Sequence, residues 1–388
     1  MSITPKAVPD TYLQPDKPRS SLQYITEGTF GRIYRYANSS DKVVYKMVKE
    51  REHGLKLQEE FSIYGDIHQS LRPIQVGFRV PKPIEYYKSS YLNEPSILLD
   101  RSSSPIQSAV TKTFNLPDDF EFPAFSMSLI PPLDTSIVDT YKSLFWSEDL
   151  QNQNRNSNGP NTEIRLLRLY FGREDIPLRT EQIQPGIKTD PPLDIFRYNS
   201  LSCTLKKEYD WSLPYIEDVS SSMGRLLANL HWLGGTNCRD IELVLGGGGN
   251  DGRGEKAQCW VLDFNQCQRW LILHLLQSST STSSASNLPS PTTGIYSSNT
   301  LLEASKRLST LIYTQELYYP RPHQGEVYEQ FKKGYERAVE LILNQQYKGK
   351  RLKSKSEIRE ATKGFFEEYE KLDREKMARR SRMGKQIV

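Results

Sequence analysis

The stretch Ile25-Thr-Glu-Gly28-Thr-Phe-Gly31-Arg-Ile33-Tyr34, followed by Val43-Val-Tyr-Lys46, joins a glycine turn to a lysine inside an apolar run. Two glycines flanking an aromatic let a hairpin backbone close over phosphate groups. A lysine fifteen residues beyond Gly31, on the next strand, reaches phosphate oxygens from below. Gly-x-x-Gly alone marks many ordinary turns, so the weight of this reading rests on the lysine strand that follows.

Outward from that stretch, Leu22–Ile25, Arg32–Tyr36 and Val43–Val48 read as strands, and Leu55–Ile67 repeats its apolar residues at helical spacing. Glu59 and Glu60 lie in this helix, and Glu60 is placed to pair with Lys46, although a surface carboxylate fits the pattern almost as well. Val80–Tyr87 reads as a further extended segment. Pro123–Ile130 reads as a strand that must end at Pro131-Pro132, because two prolines cannot sit inside a ladder. The order of these signals is similar to the opening of a protein kinase. The expected fold is α+β and two-lobed, protein-kinase-like or aminoglycoside-phosphotransferase-like, with a C-terminal basic helix.

The expected divisions are a disordered 1–20, a small β-rich lobe with one helix over 21–130, and a helical large lobe over 131–347. Within the large lobe Ile164–Phe171 looks strand-like, Ile216–Trp232 forms an amphipathic helix, and Val327, Phe331, Tyr335, Ala338 and Ile342 mark another. Gly246–Gly254 reads as a flexible stretch, and 275–300, rich in serine and threonine, as a disordered insertion. Residues 348–388 form a basic amphipathic tail helix. It starts at a capping box, Ser354-Lys-Ser-Glu357, and its Ile358, Phe365, Tyr369 and Leu372 face the body or a partner.

Composition narrows the function classes. The 388-residue chain carries a net charge of +4, but the tail from Lys348 onward holds fourteen Lys/Arg against seven Asp/Glu, which leaves −3 on residues 1–347. Such a tail is either a solvated helix or an electrostatic footprint for RNA or another polyanion, and Lys348, Lys350, Arg351, Lys353 and Lys355 are its candidate contacts. The longest apolar run, Trp270–Leu276, is too short to span a bilayer, so a cytoplasmic protein without a membrane partner is expected, and no DNA partner. Cys203, Cys238, Cys259 and Cys267 show neither Cys-x-x-Cys spacing nor a nearby histidine pair, so the spacing supports no zinc site.

Val261-Leu-Asp263-Phe264 has the form of a segment whose carboxylate holds magnesium against nucleotide phosphates. In a kinase the catalytic aspartate stands five residues before a metal-binding asparagine. If Asp240 takes the asparagine position, the base position is Gly235, which cannot accept a proton. Asn237 is no base either, and His231 sits too far back at a helix end. What remains is Asp240 and Glu242, read as alternate residues on one face of a strand, together with Asp263. The three acids could hold magnesium through Asp263 and Asp240, bind a guanidinium, or form structural ion pairs with Arg239 or Arg253.

His231-Trp232, Asp240-Ile-Glu242, Val244-Leu-Gly246, Trp260-Val-Leu-Asp-Phe-Asn-Gln-Cys267 and Tyr319-Pro-Arg-Pro322 together resemble a fungal family of kinase-like domains of unknown function, often labelled zinc-finger proteins, over about Tyr24 to Tyr347. The same family is associated with the arginine-containing cyclodipeptide synthases of secondary metabolism. Those enzymes are described with an Asp-Asp-x-x-Glu motif that this chain lacks, Asp240-Ile-Glu242 being the nearest acidic cluster. The resemblance implies an aminoacyltransferase that joins an arginyl group to a second aminoacyl group. Arginyl-tRNA and a second charged tRNA would be its partners, and Asp240, Glu242 and Asp263 its catalytic residues. Under the alternative, a small-molecule phosphotransferase, Gly28, Gly31, Lys46 and Glu60 form a cleft for Mg-ATP; a catalytically silent binding module is the third reading.

Overall fold

The computed structural model describes residues 22–36, 42–71, 76–88, 113–115, 120, 122–147, 164–173, 190–248, 256–269, 298–345 and 352–384. They form a mixed α+β fold with two sheets and seven α-helices among the described residues. The expected disordered 1–20 and most of the expected 275–300 insertion lie outside them.

The first sheet is built from β1 (Leu22–Glu27), β2 (Gly31–Tyr36), β3 (Val43–Val48), β4 (Pro83–Lys88), β5 (Thr113–Asn115) and β6 (Ala124–Ser128), in the order β1-β2-β3-β6-β4-β5. The hairpin between β1 and β2 closes with the Gly28 amide donating to the Gly31 carbonyl at 2.9 Å. Gly31 must be glycine because a Cβ would come within 2.9 Å of the Met47 carbonyl on the paired strand. Helix α1 (Gly54–Leu71) lies against this sheet. Phe61, Ile63, Tyr64 and Ile67 are buried, and Phe61 and Tyr64 meet the Phe125 ring of β6 at centroid distances of 5.4 and 6.1 Å. Alternate burial along β3 puts Val44, Lys46 and Val48 on one face of the strand.

After β6 the chain passes through Pro131-Pro132 into α2 (Thr135–Phe145), capped by the Asp134 side chain on the Ser136 amide. The second sheet, ordered β10-β9-β7-β8, consists of β7 (Leu167–Leu169), β8 (Pro192–Leu193), β9 (Glu242–Gly247) and β10 (Ala257–Leu262). Gly246 and Gly247 belong to β9 and do not begin a flexible run. The Gly247 amide donates to the Pro131 carbonyl at 2.8 Å, and a Cβ at Gly247 would come within 2.2 Å of the Pro132 carbonyl. Bare backbone at these two glycines is what lets the proline connection lie on the second sheet. The segment around Arg79 ties the sheets again, its amide and carbonyl bonding across β10 to Cys259 and Val261, each at 2.9 Å.

Four helices make up the rest of the body, with α3 (Ile195–Tyr209) beside α2. Helix α4 (Ile216–Trp232) crosses α6 (Glu326–Gln345) at Gly224 and Gly334, where any Cβ would strike the partner backbone within 2.1 Å. Helix α5 (Ser298–Gln315) begins inside the span expected to be disordered up to residue 300. The tail helix α7 (Leu352–Gly384) begins before Ser354, so the expected capping box does not start it. Ile358, Phe365 and Tyr369 are buried and Leu372 packs against the core, so this stripe faces the body.

Candidate functional site

Lys46 sits where the two sheets face each other. Its Nζ lies 2.7 Å from Oε1 of Glu60 on α1 and 2.6 Å from Oδ1 of Asp263 at the end of β10, and the lysine side chain is 7% exposed. The Phe30 ring of the glycine hairpin covers the ammonium at 5.8 Å from its centroid. Burial alone would strip the lysine of its proton, but the two carboxylates outweigh it and hold Lys46 above its ordinary value. Burial raises the Glu60 carboxyl to about 7, against the pull of Lys46. Asp263, 26% exposed, is the member of the trio nearest solvent.

Asp263 has φ 61, a left-handed conformation that Asp tolerates better than most residues. Its neighbour Phe264 is fully buried and meets the Tyr64 ring at 4.9 Å, which anchors the turn beneath α1. A non-glycine residue in this left-handed region is uncommon, and such residues cluster at functional sites.

Asp240 differs from the alternating-strand expectation: β9 starts at Glu242, and Asp240 stands before it in a left-handed turn with φ 58. Two contacts hold it there. Its amide donates to Oε1 of Glu316 at 2.8 Å, and its carboxylate accepts from Nε2 of Gln266 at 2.6 Å. Burial raises the Asp240 carboxyl, and Asp263 adds to the effect. Glu316 is buried beneath the turn, where burial raises its carboxyl to about 7.

Glu242 pairs with Arg168 of β7, Oε1 to Nη1 at 2.6 Å, and not with the expected Arg239; the other expected partner, Arg253, lies outside the described residues. Arg168 also approaches Asp190 at 4.0 Å and Tyr170 Oη at 3.4 Å. Burial raises Glu242 to about 7, opposed by Arg168 and reinforced by Asp263 and Asp190. Asp240, Glu242 and Asp263 thus share one electrostatic field. Among the described residues no group of three or more His, Cys, Asp or Glu side chains is arranged to hold a metal. Asp263 and Asp240 remain the residues that would hold magnesium together with ligand phosphates.

The loop before Asp240 carries no candidate proton acceptor. Gly235 has φ 61, and Asn237 is structural, its Oδ1 accepting the Arg239 and Gln268 amides at 3.2 and 3.0 Å. His231 is buried against Tyr335, 2.9 Å from its hydroxyl, and burial lowers the imidazole to about 3. Gly28 lies at the open tip of the hairpin, with no atom within 4 Å of where a Cβ would sit. Of the tail contacts, Lys348, Lys350 and Arg351 lie outside the described residues and the Lys353 side chain is not described; Lys355 is half-buried in the first turns of α7.

Sequence reasoning missed Arg168, Asp190, Gln266 and Glu316. Arg168 lies in the strand-like run Ile164–Phe171, but nothing local marks it as the partner of a residue 74 positions on. No helix among the described residues is long and apolar enough to cross a membrane. No protein-family model and no curated protein sequence matches the chain.

Proposed function

We propose that this chain is an aminoacyltransferase on a two-lobed, protein-kinase-like scaffold, acting as a tRNA-dependent, arginine-containing cyclodipeptide synthase in the cytoplasm. The observation that carries the reading is the surplus of carboxylates between the sheets. Glu60, Asp190, Asp240, Glu242 and Asp263 stand against the cations Lys46 and Arg168, while position 235 offers only glycine. A site with excess acid suits a cationic substrate, and a guanidinium can bond two carboxylate oxygens at once.

In such a reaction the amine of one aminoacyl ester attacks the carbonyl carbon of the other. A C–N bond forms, the C–O bond to the tRNA ribose breaks, and the amine proton passes by way of a carboxylate to the departing ribose oxygen. A second, intramolecular attack of the same kind closes the ring and releases the second tRNA. Orientation and a proton acceptor near neutral pKa supply what the chemistry needs, without ATP. Glu242, raised to about 7, and Asp240 are suited to accept that proton.

The test is incubation of purified protein with arginyl-tRNA and the full set of other charged tRNAs, read by mass spectrometry. A cyclic dipeptide containing arginine is expected, with loss of about a hundredfold or more in Asp240→Asn and Glu242→Gln. Absence of any cyclic product removes the proposal.

One observation favours a second reading. Lys46 held between Glu60 and Asp263 is the arrangement by which a phosphotransferase orients Mg-ATP. That reading requires a rise in melting temperature with Mg-ATP that Lys46→Ala abolishes.

A further inference from the structure

Helix α7 changes character at Asp373. Up to that point one face is buried through Ile358, Ala361, Phe365, Phe366, Tyr369 and Asp373. From Arg374 to Arg382 every side chain is exposed except Lys376, which is half-buried. This projecting end carries Arg374, Lys376, Arg379, Arg380 and Arg382 against the single carboxylate of Glu375.

At 3.6 residues per turn these five cations are spread over about 240° of the helix circumference. The apolar residues among them, Met377 and Ala378, form no stripe of the kind an interfacial membrane helix requires. Charge around most of a helix matches a partner that surrounds it, such as the phosphates lining a groove of folded RNA, better than it matches a flat surface. Arg379 meets Glu375 at 3.7 Å, but both are well exposed, and so weak a pair yields readily to phosphate.

The direction of the helix supports the assignment. Ser305 donates to the Ala361 carbonyl at 2.6 Å, and further along both helices Tyr313 donates to Asp373 at 3.0 Å, so α5 and α7 advance the same way. Beyond Asp373 the tail therefore emerges at the end where α5 hands over to Glu316, the residue that holds Asp240. The eleven residues from Arg374 to Gly384 reach about 16 Å further.

We propose that residues 374–382 are a docking surface for the phosphate backbone of a folded RNA, resting on the aminoacyl-tRNA reading of the site for the kind of RNA that arrives. This end is exposed for contact while the preceding turns fix it to the body.

The experiment is fluorescence anisotropy of the full chain with uncharged tRNA across a salt series, comparing wild type with the triple variant Arg379→Gln/Arg380→Gln/Arg382→Gln. A dissociation constant raised at least about tenfold, with the slope of log K against log salt reduced by about two to three, is expected. The melting temperature should not change, since the three side chains are exposed. Unchanged affinity and slope overturn the proposal. So does binding of the wild type to phosphatidylserine vesicles without binding to tRNA. If the triple variant loses tRNA binding while the wild type forms no cyclic dipeptide, the surface stands and the catalytic reading falls.

Discussion

The amide of Asp240 donates to the buried carboxylate of Glu316 at 2.8 Å, tying the left-handed turn before β9 to the end of α5. The connection continues outward. The Arg321 guanidinium donates to the Glu316 carbonyl and, at 2.6 Å, to the Tyr369 hydroxyl of α7, so the tail helix and the acidic turn share one buried polar knot.

Glu316 makes the stability of this knot depend on pH. Burial raises its carboxyl from 4.5 to about 7, so the folded chain holds the proton more tightly than the unfolded one. Its stabilising contribution is complete below about pH 4.5 and is lost as pH rises through about 7. Glu316→Gln keeps an acceptor for the Asp240 amide and removes the titration. Urea unfolding between pH 5 and 8 should show a flatter profile for the variant, by an amount on the order of 1–3 kcal/mol.

Arg168 and Glu242 should behave as a coupled pair. Arg168→Leu strands a mostly buried carboxylate and is expected to cost about 2–4 kcal/mol, whereas Arg168→Leu/Glu242→Leu should recover most of that loss. A double-mutant cycle by denaturant unfolding measures the coupling; independent, additive effects would contradict the pairing.

Lys46→Met leaves Glu60 and Asp263 facing each other without their cation. Glu60, already raised to about 7 by burial, would bind its proton still more tightly. The variant's loss of stability relative to wild type should therefore be smallest near pH 5 and grow toward pH 8. Thermal unfolding across that range checks the trend, and a deficit that shrinks with rising pH would contradict it.

Two truncations separate the two parts of the tail. Ending the chain after Asp373 removes turns that are exposed from Arg374 to Arg382 apart from the half-buried Lys376, and should shift the melting temperature little. Ending it after Arg351 removes the Tyr369 hydroxyl from Arg321 and uncovers the face that Phe365, Phe366 and Tyr369 bury, and should leave the protein unable to fold stably. Differential scanning calorimetry distinguishes the two.

Local signals account for the parts of the site that were legible in advance. Lys46 stands out as a charge in an apolar strand, Glu60 falls on a helix face one element later, and Asp263 closes a strand of apolar residues. Each is visible within a window of about ten residues. Asp240 misled because the pattern Asp-Ile-Glu alternates as a strand does, while Asp is also among the few residues that tolerate a left-handed turn. Helix α5 was hidden because its serines and threonines continue the composition of the segment before it, and Ser305 and Ser309 are buried only once α7 lies alongside.

By itself the sequence determined the opening strands and α1, the glycine hairpin, the trio of charged residues and the apolar stripe of the tail, because these depend on residue type at fixed local spacing. The tertiary structure alone decided that Glu242 is held by Arg168, that Glu316 sits beneath Asp240, and that Phe30 covers Lys46. Those relationships arise from burial, which brings distant charges into a shared low-dielectric space and raises three carboxyls toward neutrality.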